Sequence, residues 1–252
     1  MKKVSIITVT LNSEATICKT IESVSGQLYL NKEHIIIDGS STDRTVELVN
    51  SHIDKVSAFI SEKDRGMYEA INKGINLASG DVIGILNSDD FFYDNGILDK
   101  IMNVFNNEAF DAVYGDVVFI NKNDPSRVIR YYSSKRFNLW KFKYGYMPAH
   151  PSFYVKKSVL MEYGLYKDVY KLAGDFELMA RLMYSCRIST KYLPFPFVVM
   201  RMGGLSNKSL RNIILKNRED LQACRENGIK SNILNIYLKY PFKIFEFVWR
   251  KQ

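Results

Sequence analysis

Cysteine is scarce in this 252-residue chain. Cys18, Cys186 and Cys224 are odd in number and widely spaced, with no CxxC pair. That argues against a disulfide framework or a thiolate zinc site and suits a reducing cytosol. His34, His52 and His150 are equally scattered, so spacing gives no histidine metal site. Proline is held to 6 residues and glycine to 14, which excludes collagen and wholesale disorder. No run approaches the roughly 18 apolar residues of a membrane span. The N-terminus, Met1-Lys2-Lys3, leads into a segment with Ser5, Thr8, Thr10 and Asn12 and no small-residue cleavage site. It reads as a core strand rather than a signal peptide.

What is present suits a globular protein of one large domain or two small ones, able to bury a sizeable core. The net charge of +8 is uneven. Residues 205–252 carry 10 Lys+Arg against 4 Asp+Glu, so the basicity belongs mostly to the tail. Nucleic acid, an anionic membrane surface or a phosphate-bearing substrate would each be drawn to it.

The first half alternates. Val4–Val9, His34–Asp38, Ser57–Ser61 and Val82–Leu86 read as short strands, several too apolar to have a wet face. Between them lie helical patterns. Ile17, Ile21 and Val24 form one stripe, capped by Asn12 or Ser13. Val46 and Val49 belong to a second helix, opened by Ser40 and Asp43 at capping-box spacing. Ile71, Gly74, Ile75 and Ala78 mark a third, over 67–78. The pattern predicts a mostly parallel sheet with helices on both faces, a Rossmann-like α/β fold. Such sheets bind ligands beyond the carboxyl ends of their strands. Thr10, Asn12, Asp38 and Asn87 to Asp90 sit at those ends. In the second half, 111–120, 128–132, 152–155 and 189–201 read as extended and 175–184 as helical. Residues 133–150 are aromatic and basic without period, the best candidate for a mobile or substrate-covering segment. Two amphipathic helices are expected over 207–227 and 230–250.

Leu86-Asn87-Ser88-Asp89-Asp90 is the strongest chemical signal. Adjacent carboxylates repel, and each raises the other's pKa unless a cation intervenes. A hard divalent cation, with a substrate diphosphate completing its shell, resolves this. The plain alternative is a solvated turn. The other polar strand ends on the same edge weigh against it.

The chain resembles family 2 glycosyltransferases with a GT-A fold, of the bacterial polysaccharide branch. The resemblance rests on VSIITVTLN (4–12), IIIDGSSTDRT (35–45), ISEKDRGMYEAINKGINLASGDVIGILNSDD (60–90), HPSFYVKK (150–157), LAGDFELMARL (172–182) and MGGLSN (202–207), in the family's order. It implies a GT-A catalytic domain over 1–205 and a basic amphipathic helical tail over 206–252. Within that domain, 1–90 would be the nucleotide-binding half and 91–205 the acceptor-binding half.

The resemblance also assigns roles. Thr10 and Asn12 would border the base pocket, and Asp38 would accept from the base, typically uracil. Asp64 would contact the nucleotide, and Arg65-Gly66 would let the backbone approach the donor. Asn87 stands where the family's Asp-x-Asp motif usually opens, which affects the ribose contact; Ser88 lies between. Asp89 matches the metal position, for Mg²⁺ or Mn²⁺, and Asp90 is the next candidate. Asp175 would be the general base. A carboxylate that takes the proton of a sugar hydroxyl as the bond forms contributes about 10²–10⁴-fold, and a helix N-terminus keeps it ionised. A plain N-cap is the structural alternative, and Glu177 is the fallback base. His150 and Asp116 are candidate acceptor or diphosphate contacts, and Arg201 a candidate partner of the leaving diphosphate. Lys73 and Arg181 read as structural or solvated.

Partners implied are a nucleotide-sugar donor and a glycan or polyprenyl-diphosphate-linked acceptor, without nucleic acid. The tail from Ile233 to Trp249 interleaves aromatic and basic residues, which suits peripheral contact with the inner face of the plasma membrane. Packing on the catalytic domain is the alternative. Two rival functions are a degenerate nucleotide-sugar-binding protein and a sugar-phosphate nucleotidyltransferase. The latter needs a Gly-rich basic loop after the first strand, and residues 10–15 have neither Gly nor Lys.

Overall fold

The computed structural model describes residues 1–121, 127–201 and 209–240. A nine-stranded sheet forms its centre. The strands are β1 (Val4–Thr10), β2 (Lys32–Asp38), β3 (Ala58–Ser61), β4 (Val82–Ile85), β5 (Phe91–Phe92), β6 (Ala112–Ile120), β7 (Val128–Tyr132), β8 (Phe153–Lys156) and β9 (Thr190–Arg201). They lie in the order β3-β2-β1-β4-β8-β6-β9-β5, with β7 paired to the second half of β6. β1 is parallel to β2 and β4, and β2 to β3. β8 runs antiparallel between β4 and β6, and β9 is parallel to β6. Six strands therefore point one way, with β5, β7 and β8 reversed. The expected mostly parallel sheet is present.

The helices are α1 (Ile17–Ser25), α2 (Thr45–Asn50), α3 (Met67–Leu77), α4 (Ile97–Asn107), α5 (Lys157–Tyr163), α6 (Gly174–Met179), α7 (Leu210–Glu226) and α8 (Ile233–Tyr237). α6 runs on as a π-helical stretch, Ala180–Ser185. Alternate residues of β1 and β2 serve opposite faces of the sheet. Ile7, Val9, Ile35 and Ile37 pack with Ile71, Phe176 and Leu221. Val4 and Ile6 pack with Ile97, Ile101 and Phe105 of α4, and Ile36 meets α1 and α2. Both faces are covered, which is why these strands read as apolar throughout. Each buried isoleucine contributes about 1.5–3 kcal/mol over exposure, so the strands rather than their turns carry the stability.

One segment differs from the sequence expectation. Residues 139–144 form a short 3₁₀ helix whose Phe142 is fully buried, edge-on to Phe137 and Phe176. The part of the chain expected to move or cover substrate is thus pinned to the core. The first tail helix, α7, falls within the expected 207–227, and its Leu221, Ala223 and Cys224 share a cluster with Ile7 and Tyr68. Fully buried Asp220 lies between Lys216 at 3.1 Å and Lys239 at 2.6 Å, tying α7 to the residues after α8. Removing one partner from such an arrangement costs about 3–5 kcal/mol. Of the second expected helix, α8 is the described part. Residues 241–252 and the MGGLSN segment lie outside the described residues.

Candidate active site

The site grows from the carboxyl ends of β1, β2, β3 and β4. Thr10 pairs with Asp38 at the last step of the β1–β2 ladder. The chain leaves these strands through two left-handed residues, Asn12 at φ 51° and Ser40 at φ 64°. Non-glycine residues adopt that backbone at a cost, and it clusters at binding loops. Here the loops clasp each other: Thr42 N–H donates to Asn12 Oδ1 at 2.9 Å, and Asn12 N–H to Ser41 Oγ at 2.8 Å.

Beneath the clasp Asp38 is fully buried. Its Oδ2 accepts from Ser41 N–H at 2.9 Å and from Ser61 Oγ at 2.7 Å, and Ser41 Oγ donates to Oδ1. Thr10 Oγ1 beside it is buried with no partner among the described residues. Asp64 closes on the same turn. A Cβ added to Gly39 would lie 2.7 Å from its Oδ2, so glycine lets the carboxylate come this close. Burial lifts Asp64 above the ordinary carboxylate value; Gly66 N–H opposes this and Asp38 adds to it. Arg65 turns outward, exposed, to Glu69 at 3.1 Å and Asp168 at 2.8 Å.

The turn after β4 is bolted to α1. Thr20 Oγ1 donates to the carbonyls of Ser88 (3.0 Å) and Asp90 (2.8 Å), and Ser13 and Ser88 share a hydroxyl contact of 2.8 Å. Asn87 Nδ2 donates to Asp90 Oδ2 at 3.0 Å. Asp90 is 1% exposed, whereas Asp89 is half-buried. Burial first, then the charge of Asp89, lifts Asp90 well above the carboxylate range; Asn87 and Arg201 pull it down. Arg201, at the end of β9, lies over Phe91 at 5.9 Å with its Nε buried and unpartnered among the described residues.

Those residues hold no group of three or more His, Cys, Asp or Glu side chains able to enclose a metal ion. The protein offers one accessible carboxylate, Asp89, backed by a buried one. A hard cation bound through one or two carboxylates, completed by substrate phosphates, fits that donor set.

Asp175 reaches this rim through Tyr68. Its Oδ1 accepts from Tyr68 Oη at 3.2 Å and from Phe176 N–H at 2.9 Å. Tyr68 stands in the first turn of α3, directly after the Asp64 loop. Gly174 permits the contact: a Cβ there would lie 2.7 Å from the Tyr68 ring. Tyr68 stacks on Tyr166 (5.7 Å, 11°), whose hydroxyl meets His150 Nε2 at 2.7 Å. Burial lowers the His150 pKa and Asp175 partly offsets this. Glu177 points elsewhere, fully buried between Arg181 at 3.0 Å and Lys167 at 2.9 Å. Asp116 is caged: Tyr131, Tyr192 and Ser134 donate to it at 2.6, 3.0 and 2.7 Å. Lys73 pairs with Glu62 at 2.8 Å. A cleft of about 240 Å³ among Tyr114, Phe137 and Arg187 contains none of the expected site residues.

Three residues here escape sequence reading. Tyr68 lies inside a quoted motif, but nothing in its spacing points to a carboxylate 107 positions on. Lys216 of α7 is lowered by burial yet held above its ordinary value by Asp220 and Asp175. Glu219, nearly buried, accepts from Lys171 N–H at 3.0 Å with Oε1 and from Leu172 and Ala173 N–H at 2.8 and 2.9 Å with Oε2. The only signal for Glu219 was an acid in a helix that also carries buried apolar residues.

A family model described as Glycosyl transferase family 2 matches residues 5–164. A PGL/p-HBAD biosynthesis glycosyltransferase of Mycobacterium bovis is 26% identical over 217 residues, 84% of this chain and 82% of that protein. Among solved structures, S. aureus TarS 1–349 in complex with UDP-GlcNAc aligns with a TM-score of 0.70 and 17% identity, over 94% of this chain and 73% of that one. The mannosyltransferase PcManGT from Pyrobaculum calidifontis, in complex with GDP-Man and Mn²⁺, gives 0.64 and 14%, over 100% and 88%. At these identities the structures attest the fold.

Proposed function

The chain belongs to glycosyl transferase family 2, and from that premise we propose that it moves a sugar, with inversion, from a UDP-sugar to a hydroxyl of a glycan or polyprenyl-diphosphate-linked acceptor in bacterial surface polysaccharide synthesis. One observation carries the reading. Asp38 and Asp64 meet at Gly39, and the helix beginning just after Asp64 hands a hydroxyl to Asp175. These contacts support reading Asp38, Asp64 and Asp175 as parts of one site.

In this reading Asp38 accepts from the uracil N–H, with Thr10, Asn12, Asp64, Asn87 and Ser88 around the nucleoside. Asp89 would hold Mg²⁺ or Mn²⁺, which neutralises charge on the leaving diphosphate when bound; Asp90, buried next to it, is the next candidate ligand. Arg201 adds a positive charge on the same side. Asp175 takes the acceptor hydroxyl proton as oxygen attacks the anomeric carbon. The carbon–phosphate-oxygen bond breaks on the opposite face, and the nucleoside diphosphate leaves with that electron pair.

Purified protein with Mn²⁺ should release UDP from a UDP-sugar in the presence of acceptor. Asp175→Asn should lower this by about 10²–10⁴-fold while nucleotide still raises the thermal midpoint. Retained turnover would move the base elsewhere, and release of pyrophosphate would mark a nucleotidyltransferase.

A lipid-linked acceptor requires docking at a bilayer. Trp140, Leu234 and Leu238 are 55%, 73% and 45% exposed on neighbouring elements, beside Lys141 and Lys143. Aromatic, aliphatic and basic side chains together suit an anionic membrane interface. No helix among the described residues is long and apolar enough to cross a membrane. Flotation with anionic vesicles, weakened by salt and by Trp140→Ala, is the expected result; salt-independent absence of binding would remove membrane docking from the reading.

A further inference from the structure

The Asp175 carboxylate is held asymmetrically. Oδ1 receives both the Tyr68 hydroxyl and the Phe176 N–H, and Oδ2 has no hydrogen-bond partner among the described residues. Tyr68 is 2% exposed, and its ring lies between the backbone of Gly174 and the face of Tyr166. A side chain so enclosed has one place to point its hydroxyl. That hydroxyl comes from the helix beginning just beyond Asp64, so it also relates the position of Asp175 to the donor side.

We propose that Tyr68 is a positioning residue for Asp175: by donating to Oδ1 it fixes the carboxylate plane and presents Oδ2 to the acceptor hydroxyl. The inference rests on Asp175 being the base. Proton transfer is geometrically demanding, and a base that rotates freely spends little time aligned.

Four titratable groups face Asp175 from the elements around it. They are Tyr68 from α3, Tyr166 from the loop before α6, His150 from the short helix before β8, and Lys216 from α7. Burial holds both tyrosines neutral by raising them, and Asp175 itself raises them further. Burial keeps His150 neutral by lowering it, and Lys216 stays charged.

The test is Tyr68→Phe, which keeps the stacked ring and removes one oxygen. A hydrogen bond to a charged group corresponds to about 10- to 100-fold in rate. Tyr68→Phe should lower kcat by that factor and leave KM for the donor unchanged. Gly174→Ala, which forces the ring away, should give the same pattern. A kcat equal to wild type in Tyr68→Phe would overturn the proposal. So would a loss of donor affinity and thermal midpoint in step with activity, the mark of a structural role. Asp175→Asn separates the two readings. If it retains turnover, the base assignment fails; if it is inactive while Tyr68→Phe is normal, only the positioning role fails.

Discussion

Asp90 is a carboxylate the fold would rather keep protonated. It is buried beside Asp89, and its main aids are one amide from Asn87 and the nearby Arg201. With its folded pKa raised, the stability tied to its protonated form is present at low pH and lost as pH rises through that value. Asp90→Asn should therefore raise the thermal midpoint of metal-free protein at pH 8. Each kcal/mol recovered is worth about 2–4 °C in a chain of this size. The difference from wild type should vanish towards about pH 4, the ordinary carboxylate value. A midpoint unchanged at pH 8 would mean that Arg201 already neutralises the site. Under the proposed function, a bound cation would relieve this acid.

At the scale of elements, α7 holds the approach to Asp175. Glu219 satisfies three successive N–H groups at 171–173, all just before α6. Glu219→Ala leaves these donors without their acceptor, at about 1–3 kcal/mol for each buried group left unpaired. Only the Ala173 N–H is fully buried, so the expected result is a loss of about 1–3 kcal/mol in urea unfolding, with Glu219→Gln intermediate because an amide retains one acceptor oxygen. Equal stability in all three proteins would show that water replaces the carboxylate. Every strand but the two-residue β5, and helices α1, α2, α3, α6 and α7, were legible, because apolar period and turn residues agree there. Local caps were less so. The expected Ser40–Asp43 box is replaced by Asp43 accepting from Thr45 N–H at 2.9 Å, while Ser40 goes left-handed to seat Asp38. α4 received no assignment, although Ile97, Ile101 and Phe105 form a plain buried stripe. Glu219 and Tyr68 were out of reach, since their partners lie 46–48 and 107 positions away, and only packing brings them together.

For the whole molecule, acid should be the weak side. His34, buried in β2 with Nε2 against Thr8 Oγ1 at 2.9 Å, is pushed down to about 3 by burial. The native state keeps it neutral, whereas the unfolded chain takes a proton near pH 6.5. Its contribution is whole above about 6.5 and falls by up to about 1.4 kcal/mol per pH unit towards 3. Urea midpoints at pH 7 and pH 5 should show this, and His34→Asn should flatten the slope; an unchanged slope would assign acid sensitivity to other groups.

The Glu219 clasp has a further consequence for anyone recombining relatives. Domain shuffling treats the segment beyond the last strand as an interchangeable adaptor, free to be swapped for a new address. Here that adaptor reaches back and grips the loop leading into α6, so a chimaera joined after β9 would inherit a foreign grip along with its new destination.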